Sequence, residues 1–246
     1  MRNLLVTISY DGKPYHGWQI QENAVSVQEV FQRALGKIIG TVPDIKGCSR
    51  TDAGVHANMY CINFFTDHTI PCERLVAALN TFLPPSIACF DVKEVGADFH
   101  ARYSCKGKEY IYKIWNSEIK NPFLDGYALH YWYKLDEKLL DSASSKFIGR
   151  HDFTSFCTVD KNRRKGDFHR TIKNASVTRN GDMVTITVEA DGFLYNMVRI
   201  IVGTLLQTAQ GKIEPEDIPG IISALDRSKA GPTAPPQGLY LNRVIY

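Results

Sequence analysis

Arg50, Asp52 and His56 lie within seven residues of each other, in the stretch Gly47-Cys48-Ser49-Arg50-Thr51-Asp52-Ala53-Gly54-Val55-His56-Ala57. If Arg50 to Asp52 is extended, the guanidinium and the carboxylate share one face, because side chains along a strand alternate. An opposite charge beside a carboxylate favours its ionised form. A carboxylate that is ionised and oriented can act as a nucleophile or as a base. Gly47 and Gly54 let the backbone turn sharply on either side. Residue types alone also allow a plainer reading, a surface ion pair worth ~0–1 kcal/mol.

Four further groups are candidates. Tyr15-His16-Gly17-Trp18-Gln19-Ile20-Gln21 offers rings and amides that suit RNA through Trp18 and Gln19, or else a Trp-anchored loop packed on the core. Tyr110, in Lys108-Glu109-Tyr110-Ile111-Tyr112, reads as a core strand residue or as a catalytic one. Arg199 interrupts the apolar run Met197-Val198-Arg199-Ile200-Ile201-Val202-Gly203, and a charge on a buried helix needs a partner. Between Lys161 and Lys173 the chain holds Lys161, Arg163, Arg164, Lys165, Arg170 and Lys173 against Asp167 alone. That density suits a phosphate backbone, or a solvated loop. The seven histidines show no metal-ligand spacing, and the six cysteines form no C-x-x-C pair. No metal site is expected, and the thiols read as reduced and mostly buried.

These residues must be held by a fold. Asn3 to Ser9 reads as a buried strand. Ser26-Val27-Gln28-Glu29 is a capping box, followed by helical spacing through Ile39 and a stop at Gly40. Ile45 to Ser49 and Asn58 to Thr66 read as strands flanking the central stretch. A helix from Pro71 to Phe82 and a strand from Ile87 to Val95 complete the order β-α-β-β-α-β, the ferredoxin-like order. Residues 97–104 form a junction. Beyond it the spacing predicts a strand over Lys106 to Trp115, with Lys108, Tyr110, Tyr112 and Ile114 on one face. A helix over Leu135 to Ile148 follows, with Leu135, Leu139, Ala143 and Phe147 inward. Next come a hairpin around Asn180-Gly181, helices over 194–210 and 215–225, and a closing strand over Leu239 to Tyr246. The second half thus repeats the element order of the first, with an extra helix and a long basic insertion and with no residue-level repeat. The expected fold is α+β: two ferredoxin-like halves, 1–100 and 101–246, joined into one mainly antiparallel sheet. The helices are expected on one face and the active-site cleft between the halves.

Length and charge set bounds. The 246 residues, 44% hydrophobic, are enough for one large domain or two ordinary ones. No apolar run approaches the ~20 residues of a membrane helix, and the start lacks a secretory signal. A soluble, cytoplasmic protein without membrane contact is expected. The net charge of +3 divides into −2 over residues 1–100 and +5 over residues 101–246.

The central stretch resembles the signature G-A-[GS]-R-T-D-A-G-V-H-A of the tRNA pseudouridine synthase A family, with Cys48 standing where Ala is usual. Further matches keep the same order along the chain. They are Tyr10-Asp11-Gly12 with Gly17-Trp18-Gln19, then Lys108-x-Tyr110-x-Tyr112, His151-Asp152-Phe153, Met197-Val198-Arg199, and the ending around Gly238-Leu239-Tyr240-Leu241. The resemblance implies an isomerase that converts uridines 38 to 40 of the tRNA anticodon stem-loop to pseudouridine, without cofactor or metal, as a homodimer. It implies Asp52 as catalytic carboxylate, Tyr110 as the ring stacking on the extruded base, and Arg199 as the partner of that Asp. It also implies that Leu239 lines the site; His151-Asp152-Phe153 reads as structural more than chemical. Arg50 would pair with Asp52 or hold a phosphate. His56 would stabilise the loop or touch RNA, and Arg163, Arg164 and Lys165 would grip the stem. Two rivals are a non-catalytic RNA-binding protein and a hydrolase using Asp52 and His56, which would need an oxyanion hole or a metal.

Overall fold

The computed structural model describes residues 1–158 and 166–246, so Lys161, Arg163, Arg164 and Lys165 lie outside the described residues. In chain order the first elements are β1 (Arg2–Tyr10), α1 (Val27–Ile39), β2 (Lys46–Gly47), β3 (His56–Thr66), α2 (Cys72–Phe82) and β4 (Ile87–Val95). Then come β5 (Gly107–Trp115), β6 (Leu129–His130), α3 (Glu137–Ser145), β7 (Gly149–Asp152), β8 (His169–Asn180) and β9 (Met183–Ala190). The last are α4 (Met197–Ala209), α5 (Ile218–Ser223) and β10 (Leu239–Ile245). The class is α+β with mainly antiparallel strands, as expected. No helix among the described residues is long and apolar enough to cross a membrane.

The chain divides into two compact units, Met1–Lys106 with Tyr240–Tyr246, and Gly107–Leu239. In the first unit β1 lies between β3 and β4, antiparallel to both, and β2 pairs antiparallel with β3 at Ile62 and Asn63. This is the ferredoxin-like order. Seven of the nine positions of β1 are buried, with Leu4, Val6 and Ile8 fully so. The Ser26 hydroxyl caps α1 by accepting the Glu29 N–H at 3.3 Å, and Gly40 ends the helix in the left-handed region. The junction after β4 is tied down by amides. Asn3 Nδ2 donates to the Gly96 and Phe99 carbonyls at 2.9 Å, and Asn63 Oδ1 accepts the Ala101 N–H at 2.8 Å.

The closing strand was expected in the second half, but most of it groups with the first unit. Tyr240 and Leu241 of β10 pair in parallel with His56 and Ala57 of β3, and the Tyr246 hydroxyl donates to the Ala101 carbonyl at 2.8 Å. The division falls at Lys106/Gly107 rather than at 100/101.

In the second unit β5 pairs with β9, β9 with β8 and β8 with β7, all antiparallel. Tyr110, Tyr112 and Ile114 alternate inward along β5 with the period expected. Helix α3 starts at Glu137 because the Asp136 carboxylate caps it, accepting the Lys138 and Leu139 N–H groups. That phase turns Leu140 rather than Leu139 fully inward. His151-Asp152-Phe153 closes β7. Asp152 Oδ1 accepts from the Thr154 N–H and hydroxyl at 2.9 and 2.6 Å, and Phe153 is fully buried. The six cysteines are free, four of them buried.

Candidate active site

The Asp52 loop is fixed from several sides. Thr51 points inward, and its hydroxyl lies 2.7 Å from the Tyr10 hydroxyl. Arg50 is exposed and Asp52 half-buried, so burial alternates over Arg50-Thr51-Asp52 as in an extended chain. The Thr51 carbonyl accepts the Trp18 N–H at 3.1 Å, and the Asp52 carbonyl accepts the Val55 N–H at 3.2 Å. The Tyr60 hydroxyl, from β3, donates to the Ser49 carbonyl. Gly17 lies against this backbone at φ +88°; a Cβ there would sit 2.4 Å from the Thr51 oxygen. Gly54 takes φ +75°, the sharp turn that the sequence predicts.

Trp18 is buried under the loop and stacks on Tyr60, with ring centroids 4.2 Å apart and planes at 27°. The Trp-anchored reading of this segment therefore describes it, while Gln19 is exposed. His56 is also buried. Its ring stacks on Tyr240 at 4.5 Å and 18°, and its Nδ1 accepts the Gly12 N–H at 3.0 Å, with Asp11 Oδ1 3.2 Å away. That environment fits loop stabilisation. Among the described residues Arg50 forms no ion pair within 4.0 Å, so its charge is open to solvent.

The second unit supplies Tyr110 and Arg199. Tyr110 is buried on β5 and meets Phe193 edge-on, centroids 4.9 Å apart at 81°. Arg199 sits in the first turn of α4. Its Nε donates to the Ala234 carbonyl at 2.7 Å and one terminal nitrogen donates to Asn196 Oδ1 at 2.9 Å. The adjoining Pro235 carbonyl accepts the Tyr112 hydroxyl at 2.7 Å. Burial pushes the Tyr112 phenol well above its ordinary pKa, and the Arg199 charge opposes this only in part. Tyr112 is therefore a neutral donor at working pH.

Residues 231–238 lie directly on α4. A Cβ at Gly203 would overlap the Pro232 carbonyl oxygen at 1.7 Å, which explains the glycine four residues after Arg199. Leu239 is buried beside Gly238, where a Cβ would meet the Tyr112 ring at 2.7 Å. Sequence reasoning did not single out Asn196, Phe193 or the Ala234 carbonyl. A carbonyl leaves no mark in sequence, and nothing in the apolar spacing distinguishes Asn196 from an ordinary helix cap.

A family model described as tRNA pseudouridine synthase matches residues 6–104 and 143–246. The chain is 46% identical to a tRNA pseudouridine synthase A of Thermoanaerobacter sp. over 246 residues, all of both chains. It is 45% identical to one of Ruminiclostridium cellulolyticum over 250 residues and 43% identical to one of Clostridium acetobutylicum over 246, again with full coverage. With both stretches of the family model and whole-length relatives in agreement, the chain belongs to the tRNA pseudouridine synthase family.

Proposed function

We propose that this protein isomerises uridine to pseudouridine in tRNA, at positions 38 to 40 of the anticodon stem-loop, with Asp52 as the reacting carboxylate. The observation that carries this reading is the loop around Asp52. Tyr10, Trp18 and Tyr60 each bond a group at Ser49 or Thr51, which fixes the backbone on which the carboxylate stands. Such preorganisation is what a positioned nucleophile or base needs.

The reaction breaks the N1–C1′ bond, turns the uracil, and forms a C5–C1′ bond. The C5 hydrogen leaves as a proton and N1 gains one, so the reaction is redox-neutral and consumes no water. An oriented carboxylate is sufficient for it. Asp52 attacks C6 of the base or C1′ of the sugar, or assists proton removal at C2′. Tyr110 stacks on the extruded base, and Arg199 acts, on the motif it matches, as cationic partner of the carboxylate. Exposed Arg50 and Gln19 face the RNA, and Arg163, Arg164 and Lys165 grip the stem backbone. Buried Trp18 and His56 hold the loop from within, and Leu239 lines the site. The working unit is a homodimer, by the same resemblance.

Asp52→Asn is the test. Tritium release from 5-tritiated uridine in tRNA is expected to stop while tRNA affinity stays within about threefold, because the substitution removes the reacting group and keeps its shape. Normal release would end the assignment.

A further inference from the structure

Asn196 breaks a local rule. It occupies the N-cap of α4, where Asn is favoured because its side chain accepts a backbone N–H from the first turn. Here it makes no such bond, and its backbone lies at φ 62° and ψ 6°, in the left-handed region. The side chain points elsewhere. Oδ1 accepts from a terminal nitrogen of Arg199 at 2.9 Å, and Nδ2 donates to Thr158 Oγ1 at 3.0 Å. Only this orientation of the amide serves both neighbours, since a guanidinium can only donate. With the Ala234 carbonyl on Nε, two neutral acceptors fix the plane of the guanidinium.

We infer that Asn196 is a positioning residue that aims Arg199, and that its unusual backbone exists to deliver the amide to that nitrogen. Local structure that gives up a favourable cap and takes a sparsely populated conformation marks a functional constraint. A neutral amide suits the task because it orients the cation without neutralising it. This inference rests on the reading of Arg199 as partner of the reacting carboxylate.

Glycine and alanine at 196 separate backbone from side chain. Glycine adopts the left-handed conformation freely and deletes the amide; alanine deletes the amide and strains the backbone. If the amide aims Arg199, both Asn196→Gly and Asn196→Ala lose kcat about tenfold or more, with KM for tRNA within about threefold. If position 196 serves only the backbone, Asn196→Gly turns over like the parent and only Asn196→Ala is impaired, which overturns the inference. Thr158→Val, which removes the acceptor for Nδ2, is expected to lower kcat severalfold, again without moving KM; parental kcat there also counts against the inference. Asp52→Asn run alongside separates the two failures. An inactive Asp52→Asn beside a fully active Asn196→Gly overturns this inference alone, whereas an active Asp52→Asn overturns the reading beneath it.

Discussion

Replacing Gly17 with alanine is expected to damage turnover and stability by comparable free energies. The left-handed backbone at φ +88° costs an alanine about 1–2 kcal/mol. The new Cβ would also lie 2.4 Å from the Thr51 oxygen and 3.1 Å from the Asp52 carbonyl carbon. Ordinary contact begins at 3.4 Å, so the Thr51 carbonyl has to retreat by about 1 Å. That carbonyl accepts the Trp18 N–H at 3.1 Å, so its retreat weakens a bond worth about 1 kcal/mol. Together these put the loss of folding stability at about 2–3 kcal/mol. Asp52 is the next residue, and a displacement of about 1 Å in a reacting group lowers rate by ~10²-fold. Gly40, at the C-terminus of α1, is the matched control. Its φ is +78°, and a Cβ there meets nothing within 4 Å. Gly40→Ala is expected to lose about 1–2 kcal/mol of stability, read from urea unfolding, and to keep full tritium release. Gly17→Ala is expected to lose ~10²-fold in kcat/KM in the same assay. If the two variants turn over alike, the argument that the Thr51–Asp52 backbone position governs the reaction is wrong.

Two other outcomes are expected. Changing Arg163, Arg164 and Lys165 together to alanine should weaken tRNA affinity and make the plot of log affinity against log salt shallower by about 2–3; an unaltered slope would mean that these residues do not meet phosphate. Stability should also fall in alkali, because burial pushes the Cys61 thiol up to about 11 and the Cys89 thiol up to about 12 from an ordinary 9.0. The unfolded chain releases both protons near pH 9, and the folded chain holds them until pH 11–12, so between these limits the unfolded state binds fewer protons. The stabilisation is intact below pH 9 and declines above it by about 1.4 kcal/mol per pH unit for each thiol. Urea midpoints at pH 8, 9.5 and 10.5 read this decline, and Cys89→Ala should flatten it; a parental midpoint that does not move contradicts the argument.

Where local chemistry decides an element, the sequence was enough to find it. Ser26 and Gly40 bound α1 as their side-chain and backbone preferences require, and the alternation along β5 put Tyr110, Tyr112 and Ile114 on one face. The hairpin between β8 and β9 was placed to within one residue: Asn180 and Met183 close it, leaving Gly181-Asp182 as the turn. Where a distant partner decides, the reading failed. Strand β7 carries no apolar alternation and exists because β8 offers an edge to Gly149–Asp152. The short β6 depends in the same way on β5. Residues 240–246 look like the last strand of the second half, yet their pairing with β3 assigns them to the first unit. In the candidate site, charged and aromatic side chains stood out by type. The groups that orient Arg199 did not, because one is a backbone carbonyl and the other a residue in a conformation that spacing cannot express.

The pairing of β10 with β3 has a consequence for biosynthesis. Tyr240 is translated more than 170 residues after Thr66, which at ~5–20 residues per second is a delay of roughly 10–35 s. Throughout that interval the nascent first unit has a raw margin at His56 and Ala57, the segment that follows the Asp52 loop. The ribosome must release nearly all of the remaining chain before that margin is covered, so His56 gains the Tyr240 ring it stacks on only after synthesis of the second unit.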